Sequence, residues 1–306
     1  MKNYVAVITT FNRKEKLKKA IKCLKEQEFK PQKIIIVDNA STDGTDILMK
    51  DYLNDSMIKY LKLNENIGGS GGFYYGIKKA LQYDPDYIAV SDDDAWYLPD
   101  YFEKIKRKSA EYPEVGAFIG VAEDPQTHEK TNQGAVLTDW KTLSKTSPIT
   151  DNNYCNLITF CGFVFKAALI QKIGLPQKNF FIWLDDNEYG LRISKLTKIL
   201  LVKDAILLHL KDKRGNNNLI PYWKNYYGFR NGIKLREEFT TNKISANLYN
   251  LRELLQHTLA ILLKTEYKNQ KINYLKSYWY GFVDGYLNKM GKNNKFLPDK
   301  ENKEKK

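Results

Sequence analysis

Residues 4–13 read YVAVITTFNR. The run Tyr4–Thr9 is apolar and β-branched, too short for a buried helix, and closed by hydroxyls, an amide and an arginine. It reads as a strand buried on both faces, followed by a helix that gathers Leu17, Ala20, Ile21 and Leu24 on one side. The unit recurs: Lys33–Val37 (KIIIV), Ile58–Leu61 and Tyr87–Val90 are further strands, with a helix at about Gly72–Leu81 before the last. Such alternation predicts a doubly wound α/β fold, a mainly parallel sheet covered on both faces. Ligands of these sheets gather beyond the carboxyl ends of the strands, so the chemistry is expected in the residues that follow each strand.

Those residues are unusual. Thr9, Thr10, Phe11, Asn12 and Arg13 offer hydroxyls, N–H groups and a guanidinium at a helix start, which suits a nucleotide base or phosphate as well as an ordinary helix opening. After the second strand, Asp38-Asn39-Ala40-Ser41-Thr42-Asp43-Gly44 sets a carboxylate beside an amide; it could read a uracil or ribose, or cap the next helix. Asn66-Ile67-Gly68-Gly69-Ser70-Gly71-Gly72-Phe73 lets backbone approach a ligand closely, or a helix pack closely on a strand. It has neither the lysine of a P-loop nor the spacing of a dinucleotide fingerprint. Ser91-Asp92-Asp93-Asp94 follows the strand Tyr87–Val90. Three adjacent carboxylates repel one another, so a hard cation such as Mg²⁺ or Mn²⁺ is the economical companion. Asp185, Asp186 and Glu188 follow the aromatic run from Phe180 to Trp183, where half-buried carboxylates can act as bases or simply favour a helix start. His209 closes the strand Ala205–Leu208 and could complete a metal site.

The 306 residues fit one large α/β domain with a smaller appendage, and 42% hydrophobic content suffices for a sizeable core. Three cysteines, Cys23, Cys155 and Cys161, form no CxxC pair, which argues against a disulfide scaffold or structural zinc. No apolar run is long enough for a signal peptide or spanning helix, so a cytoplasmic protein is expected. Residues 211–306 carry 20 Lys+Arg against 9 Asp+Glu, so +11 of the net +13 lies there. Helical patterns near Pro221–Glu238, Tyr249–Lys264 and Ile272–Met290 interleave lysines with Tyr222, Trp223, Tyr226, Tyr227, Tyr278, Trp279 and Tyr280. Basic and aromatic residues together suit peripheral association with the inner face of a membrane, packing onto the first domain, or a homo-oligomer. No nucleic acid is expected as partner. The chain is read as residues 1–212, a helical region 213–290 and a disordered basic tail 291–306.

Taken in order, VITTFNR, VDNAS, the DDD triplet, WLDDNEYGLR and YYGFRN resemble family 2 glycosyltransferases of the GT-A fold over about residues 4–232. NIGGSGGF and WLDDNEYGLR look like the galactofuranosyltransferase branch, with rhamnosyltransferases close by. The resemblance implies an inverting, metal-dependent hexosyltransferase. Its donor would be a UDP- or dTDP-sugar, its acceptor a glycan or polyprenyl-linked saccharide in cell-surface polysaccharide synthesis. Thr10, Arg13, Asp38 and Asn66 would contact the nucleotide; Gly69, Ser70, Gly71, Asp92 and Asp93 would line the diphosphate and donor sugar. Asp92, Asp94 and His209 would hold Mn²⁺ or Mg²⁺. Asp186 would be the general base, with Asp185 and Trp183 shaping the acceptor pocket. A sugar-nucleotide pyrophosphorylase would use a similar sheet but carry a glycine-rich basic loop where this chain has TTFNRKEK. A non-catalytic carbohydrate-binding protein on this fold would have no need of both acidic runs.

Overall fold

The computed structural model describes residues 1–149, 152–210 and 219–298. These fall into two compact units, one within Met1–Val136, Ser147–Lys178 and Asp186–Lys211, the other within Leu137–Thr146, Asn179–Asp185 and Asp212–Lys306. Two short segments of the middle chain thus group with the C-terminal helices, which a single cut near residue 212 does not capture; residues 212 and 213 themselves lie outside the described residues.

The first half of the chain runs β1 (Tyr4–Thr10), α1 (Lys14–Lys25), β2 (Lys33–Asp38), α2 (Thr45–Lys50), β3 (Ile58–Lys62), α3 (Gly68–Ala80), β4 (Tyr87–Asp92), β5 (Ala95–Tyr97) and α4 (Tyr101–Glu111). There follow β6 (Ala117–Glu123), β7 (Lys130–Asn132), β8 (Gly134–Leu137), β9 (Thr146–Ser147), β10 (Tyr154–Cys155), β11 (Leu157–Ile158) and β12 (Phe163–Lys166). After these come α5 (Ile170–Ile173), α6 (Asp185–Ser194) and β13 (Ile199–His209). The main sheet has the order β10-β13-β6-β12-β4-β1-β2-β3, with β5 added to β13 and β7 to β6. Strands β3, β2, β1 and β4 are parallel, as the alternation predicts. Beyond β4 the sheet is mixed, because β12 enters antiparallel between β4 and β6. Alternate residues of β1 feed two cores: Tyr4, Ala6 and Ile8 pack with Leu17, Ile21 and Phe102, while Val5 and Val7 pack with Phe73, Ile77 and Tyr189. This period-two division is what burial on both faces requires. Cys23, Cys155 and Cys161 are free.

The glycine-rich stretch is not a loop. Helix α3 begins at Gly68, four residues earlier than its apolar pattern indicated. A Cβ on Gly72 would stand 2.8 Å from Thr9 Cγ2, and one on Gly76 would stand 2.3 Å from Val7 Cγ1. These glycines let the helix lie against β1 and β2, so close helix–strand packing accounts for them. Gly69, by contrast, has open space where a side chain would be.

The second unit contains α7 (Tyr222–Phe239), α8 (Lys243–Leu263) and α9 (Lys271–Tyr286). Asn242 caps α8 by accepting from Ser245 N at 2.9 Å, so this helix begins six residues before the sequence pattern showed it. Tyr222, Trp223, Tyr226, Tyr227 and Tyr278 are buried in the core of this helical unit, leaving Trp279 as the exposed member of the aromatic set and Tyr280 half-buried. The aromatic set is therefore mainly a packing device, and burial removes most of it from any membrane interface. Residues 291–298 are not a disordered tail either. Phe296 is buried and stacks on Tyr226 with ring centres 4.3 Å apart, and Asn293 N donates to Tyr227 Oη at 2.9 Å. The rest of the expected tail, 299–306, lies outside the described residues.

Candidate active site

Parallel register sets the stage. Thr9 of β1 is level with Asp92 of β4, and Thr10 is level with Asp38 of β2, so three strand ends present polar residues at one edge. The chain then turns through Asp93 and Asp94 into β5, which pairs antiparallel with β13 so that Ala95 faces His209. That pairing brings His209 Nε2 within 3.5 Å of Asp94 Oδ1, although the two are far apart in sequence.

Each acid of the triplet has a different environment. Asp92 is half-buried, and its Oδ1 accepts from Thr9 Oγ1 at 3.3 Å. Burial, followed by repulsion from Asp94 and Asp186, pushes its carboxyl up to about 6 against the pull of Arg13 and His209. Asp93 is buried and accepts from Thr10 Oγ1 at 2.7 Å and from Arg13 at 3.3 Å. Its burial still outweighs those partners and raises it to about 7. Asp94 is buried too, yet it accepts from Arg13 at 2.8 Å and from Lys16 at 2.9 Å. Burial opposes its ionisation, but His209, Arg13 and Lys16 together hold it well below the usual carboxylate range. The triplet has no cation beside it in sequence; in space, Arg13 just before α1 and Lys16 within it supply two.

The remaining donor-side candidates are placed as follows. Asp38 is fully buried; its Oδ1 accepts from Ser41 N at 2.8 Å and its Oδ2 from Tyr60 Oη at 2.5 Å. Both oxygens therefore already fix the turn and its neighbour, and a nucleotide would meet only their remaining lone pairs. Asn66 Oδ1 accepts from Gly68 N at 2.8 Å and so folds the entry to α3. Ser70 is fully buried, and neither its Oγ nor Oδ1 of buried Asn39 has a hydrogen-bond partner among the described residues.

Of the acceptor-side candidates, Asp185 opens α6 and is buried, while Asp186 is half-buried. Burial raises the Asp186 carboxyl to about 6, partly offset by hydrogen bonds from Asn187 N at 2.7 Å and Asn187 Nδ2 at 3.0 Å. The third acid, Glu188, is fully buried in an ion pair with Arg192 Nε at 2.6 Å. Arg192 also donates to the carbonyls of Ile173 and Leu175, so this pair fastens α6 to the segment before it.

The loop leading to Asp185 is strained, with left-handed backbone at Phe181 (φ 69), Trp183 (φ 68) and Leu184 (φ 66). It persists because α7 holds it. Asn231 Nδ2 donates to the carbonyls of Phe180, Ile182 and Trp183 at 3.1, 3.0 and 2.8 Å, and Arg230 donates to that of Phe180 at 2.9 Å. Both residues are fully buried. Gly228 leaves room for the Trp183 ring, since a Cβ there would lie 2.7 Å from Cε3. Arg230 and Asn231 were missed as functional residues by sequence reasoning. A polar pair buried within the apolar pattern of YYGFRN was the available signal. Lys16 gave no such signal, being one lysine among many in α1.

Among the described residues, no group of three His, Cys, Asp or Glu side chains stands ready to hold a metal ion. Asp94 and His209 nevertheless offer a hard oxygen and an imidazole nitrogen side by side. Cations that accompany phosphates often take only one or two protein ligands and draw the rest from phosphate and water. The donor set fits such an ion.

The glycosyl transferase family 2 model matches residues 5–174, more than half of the chain, and the protein belongs to that family. Its sheet and helices are of the GT-A type. It is 26% identical over 199 residues to the galactofuranosyltransferase GlfT1 of Mycolicibacterium smegmatis, covering 61% of this chain and 64% of that protein. It is 30% identical over 173 residues to the GalNAc(5)-diNAcBac-PP-undecaprenol beta-1,3-glucosyltransferase of Campylobacter jejuni, covering 54% and 52%. The chain thus spans less than two thirds of the length of these relatives. In fold it is similar to GalNAc-T7 solved with UDP, GalNAc and Mn²⁺, with a TM-score of 0.62 and 13% identity over 93% of this chain and 56% of that one.

Proposed function

We propose that this protein transfers a sugar from a nucleotide diphosphate to a hydroxyl of a glycan or lipid-linked saccharide, with inversion at the anomeric carbon. The observation that carries the reading is the meeting of Asp92, Asp94 and His209 at the strand ends, with the charge of Asp186 felt at Asp92. A divalent cation, Mn²⁺ or Mg²⁺, held by Asp94 and His209 would neutralise the departing diphosphate.

The chain's own residues do the rest. Arg13 and Lys16 keep Asp94 ionised, and with it the site's capacity for a cation. The N-terminal turn of α3, open at Gly69, offers backbone N–H groups and the positive end of a helix to phosphate oxygens. Asp186 accepts the proton of the attacking hydroxyl, for which a carboxyl raised towards 6 is a stronger base than an ordinary aspartate. One direct displacement needs no enzyme nucleophile and inverts the centre. A sugar-nucleotide pyrophosphorylase is disfavoured because the segment after β1 is held by Asp93 and Asp94 rather than built as a phosphate-cradling loop.

The strings NIGGSGGF and WLDDNEYGLR and the likeness to GlfT1 favour galactofuranose as the donor sugar. A rhamnosyl donor on dTDP is the second choice, and the likeness to an undecaprenol-linked glucosyltransferase favours a polyprenyl-linked acceptor at the inner face of the membrane. The test is a panel of UDP-galactofuranose, UDP-glucose and dTDP-rhamnose with Mn²⁺, scored first by thermal shift and then by product NMR. Stabilisation and an inverted product with one donor are expected. Pyrophosphate formation from a nucleoside triphosphate, or binding without turnover or hydrolysis of any donor, would overturn the reading.

A further inference from the structure

Helix α8 has apolar residues on two faces. Ala246, Leu254 and Ile261 are buried within the helical unit. Ile244, Leu248, Leu251, Leu255, Leu259 and Leu262 are not: each is between 46% and 73% exposed. Their spacing of four, three, four, four and three residues gathers them, at about 100° per residue, into one stripe roughly 80° wide. At about 1.5 Å per residue the stripe runs for roughly 27 Å. Six large aliphatic side chains in a line on one helix face are a docking surface rather than scattered surface leucines.

The charges around the stripe say what it meets. Lys243, Arg252 and Lys264 are exposed on α8 or at its end, and Lys268 and Lys276 are exposed just beyond it. The acids between residues 243 and 286 are already matched within the chain. Glu253 receives Arg236 at 2.7 Å, Glu266 lies 3.6 Å from Lys264, and Asp284 accepts from Tyr226 Oη at 2.7 Å. A second copy docking through the same stripe about a two-fold axis would set these basic flanks against one another. An anionic lipid surface would instead pair every flank with headgroups while the leucines enter the acyl boundary. No helix among the described residues is long and apolar enough to cross a membrane, so α8 would lie in the surface plane.

We infer that the exposed face of α8 docks this protein onto anionic lipid. The inference rests on the second unit alone and does not depend on the proposed glycosyl transfer. Its test is flotation of the full chain with vesicles of phosphatidylcholine alone or mixed with phosphatidylglycerol, at low and high salt. Binding to the mixed vesicles only, weakened by salt, is expected. Leu248→Ser, Leu255→Ser and Leu259→Ser, singly and combined, should release the protein, the triple variant by about tenfold or more, while circular dichroism and thermal unfolding stay unchanged. Arg252→Gln should weaken binding without abolishing it. These leucines are solvent-exposed, so folding should survive; should the triple variant unfold, the single variants and the lipid dependence of the unaltered chain still decide. Failure of the unaltered chain to float with anionic vesicles would overturn the inference, as would undiminished flotation of the variants. A lipid-free dimer, seen by light scattering and lost in the triple variant, would assign the stripe to a second copy and also overturn it.

Discussion

The two acidic runs of this protein are similar in sequence and opposite in physics. Asp92-Asp93-Asp94 ends a strand and is met by two cations, Arg13 at the start of α1 and Lys16 within it; Asp186 and Glu188 lie in the first turn of a helix, where the cation, Arg192, pairs with Glu188. In the first run the charge is concentrated on Asp94, held ionised, while Asp92 and Asp93 are pushed towards neutrality. In the second, the ion pair belongs to the structural member, and Asp186 is left with only amide donors and a raised carboxyl. Residue type does not assign the roles. The number and sign of the partners does: the acid with two cations stays charged, and the acid without them keeps its proton to higher pH.

Removing Asp94 should break this contrast most completely. Asp94→Ala takes away the carboxylate that faces His209, leaving Arg13 with Asp93 alone and Lys16 without its carboxylate, so both nucleotide binding and turnover should fail, with turnover down by about 10³-fold or more. EDTA should do the same to the unaltered enzyme, read as loss of product and of donor-induced thermal shift. Full activity of metal-stripped protein would sink the metal-dependent reading. Next in size is Asp186→Asn. It preserves shape and neutral hydrogen bonding but cannot accept the proton, so turnover should fall by about 10²-fold or more while donor affinity persists. An inactive Asp185→Asn beside an active Asp186→Asn would reverse the two assignments.

Glu188→Gln sharpens the comparison from the structural side. It leaves Arg192, half-buried and still donating to two carbonyls, without its carboxylate, a change that costs about 3 kcal/mol. Denaturation should register that loss, while the folded fraction keeps turnover within a few-fold of the unaltered enzyme. Turnover lost at full stability would make Glu188 part of the chemistry.

What could be read beforehand divides along the same physical line. Strand periodicity is local, so β1 to β4 and the residues at their ends were legible from YVAVITT, KIIIVD, IKYL and YIAVSDDD. The antiparallel entry of β12 was not, because a four-residue apolar run carries no sign of its direction. Nor was the neutralisation of Asp94, which depends on Arg13 and Lys16, some eighty residues away. Gly72 and Gly76 were ambiguous in sequence because backbone approach to a ligand and to a strand demand the same absent Cβ. In the C-terminal helices the periodicity was present but its direction was not: aromatics turned inward to fill a small helical core, and leucines were left outside.

The smallest expected effect is a pair of opposed pH dependences. As a base, Asp186 must be ionised, so turnover should fall as pH drops below about 6, close to tenfold per unit once the limb is fully developed. Stability of the metal-free protein should move the other way. Unfolded aspartates ionise near 4, whereas Asp92 and Asp186 in the fold hold their protons up to about 6 and Asp93 up to about 7. Between those limits these three carboxyls bind more protons in the fold than in the unfolded chain and raise stability as pH falls, outweighing His257, whose burial lowers its imidazole and works the other way. Asp94 has the opposite sign. Its depressed carboxyl contributes stability above the unfolded value that is lost only as pH falls below about 4, outside that window. Lowering the pH from 7 to 5 should therefore raise the melting temperature of metal-free protein by a few degrees while slowing transfer. Asp186→Asn should remove part of the stability slope, because one of the three raised carboxyls no longer titrates. A melting temperature that falls steadily from pH 7 to pH 5 would mean that these carboxylates are better solvated or better paired than the geometry allows, and the contrast between the two acidic runs would fail with it.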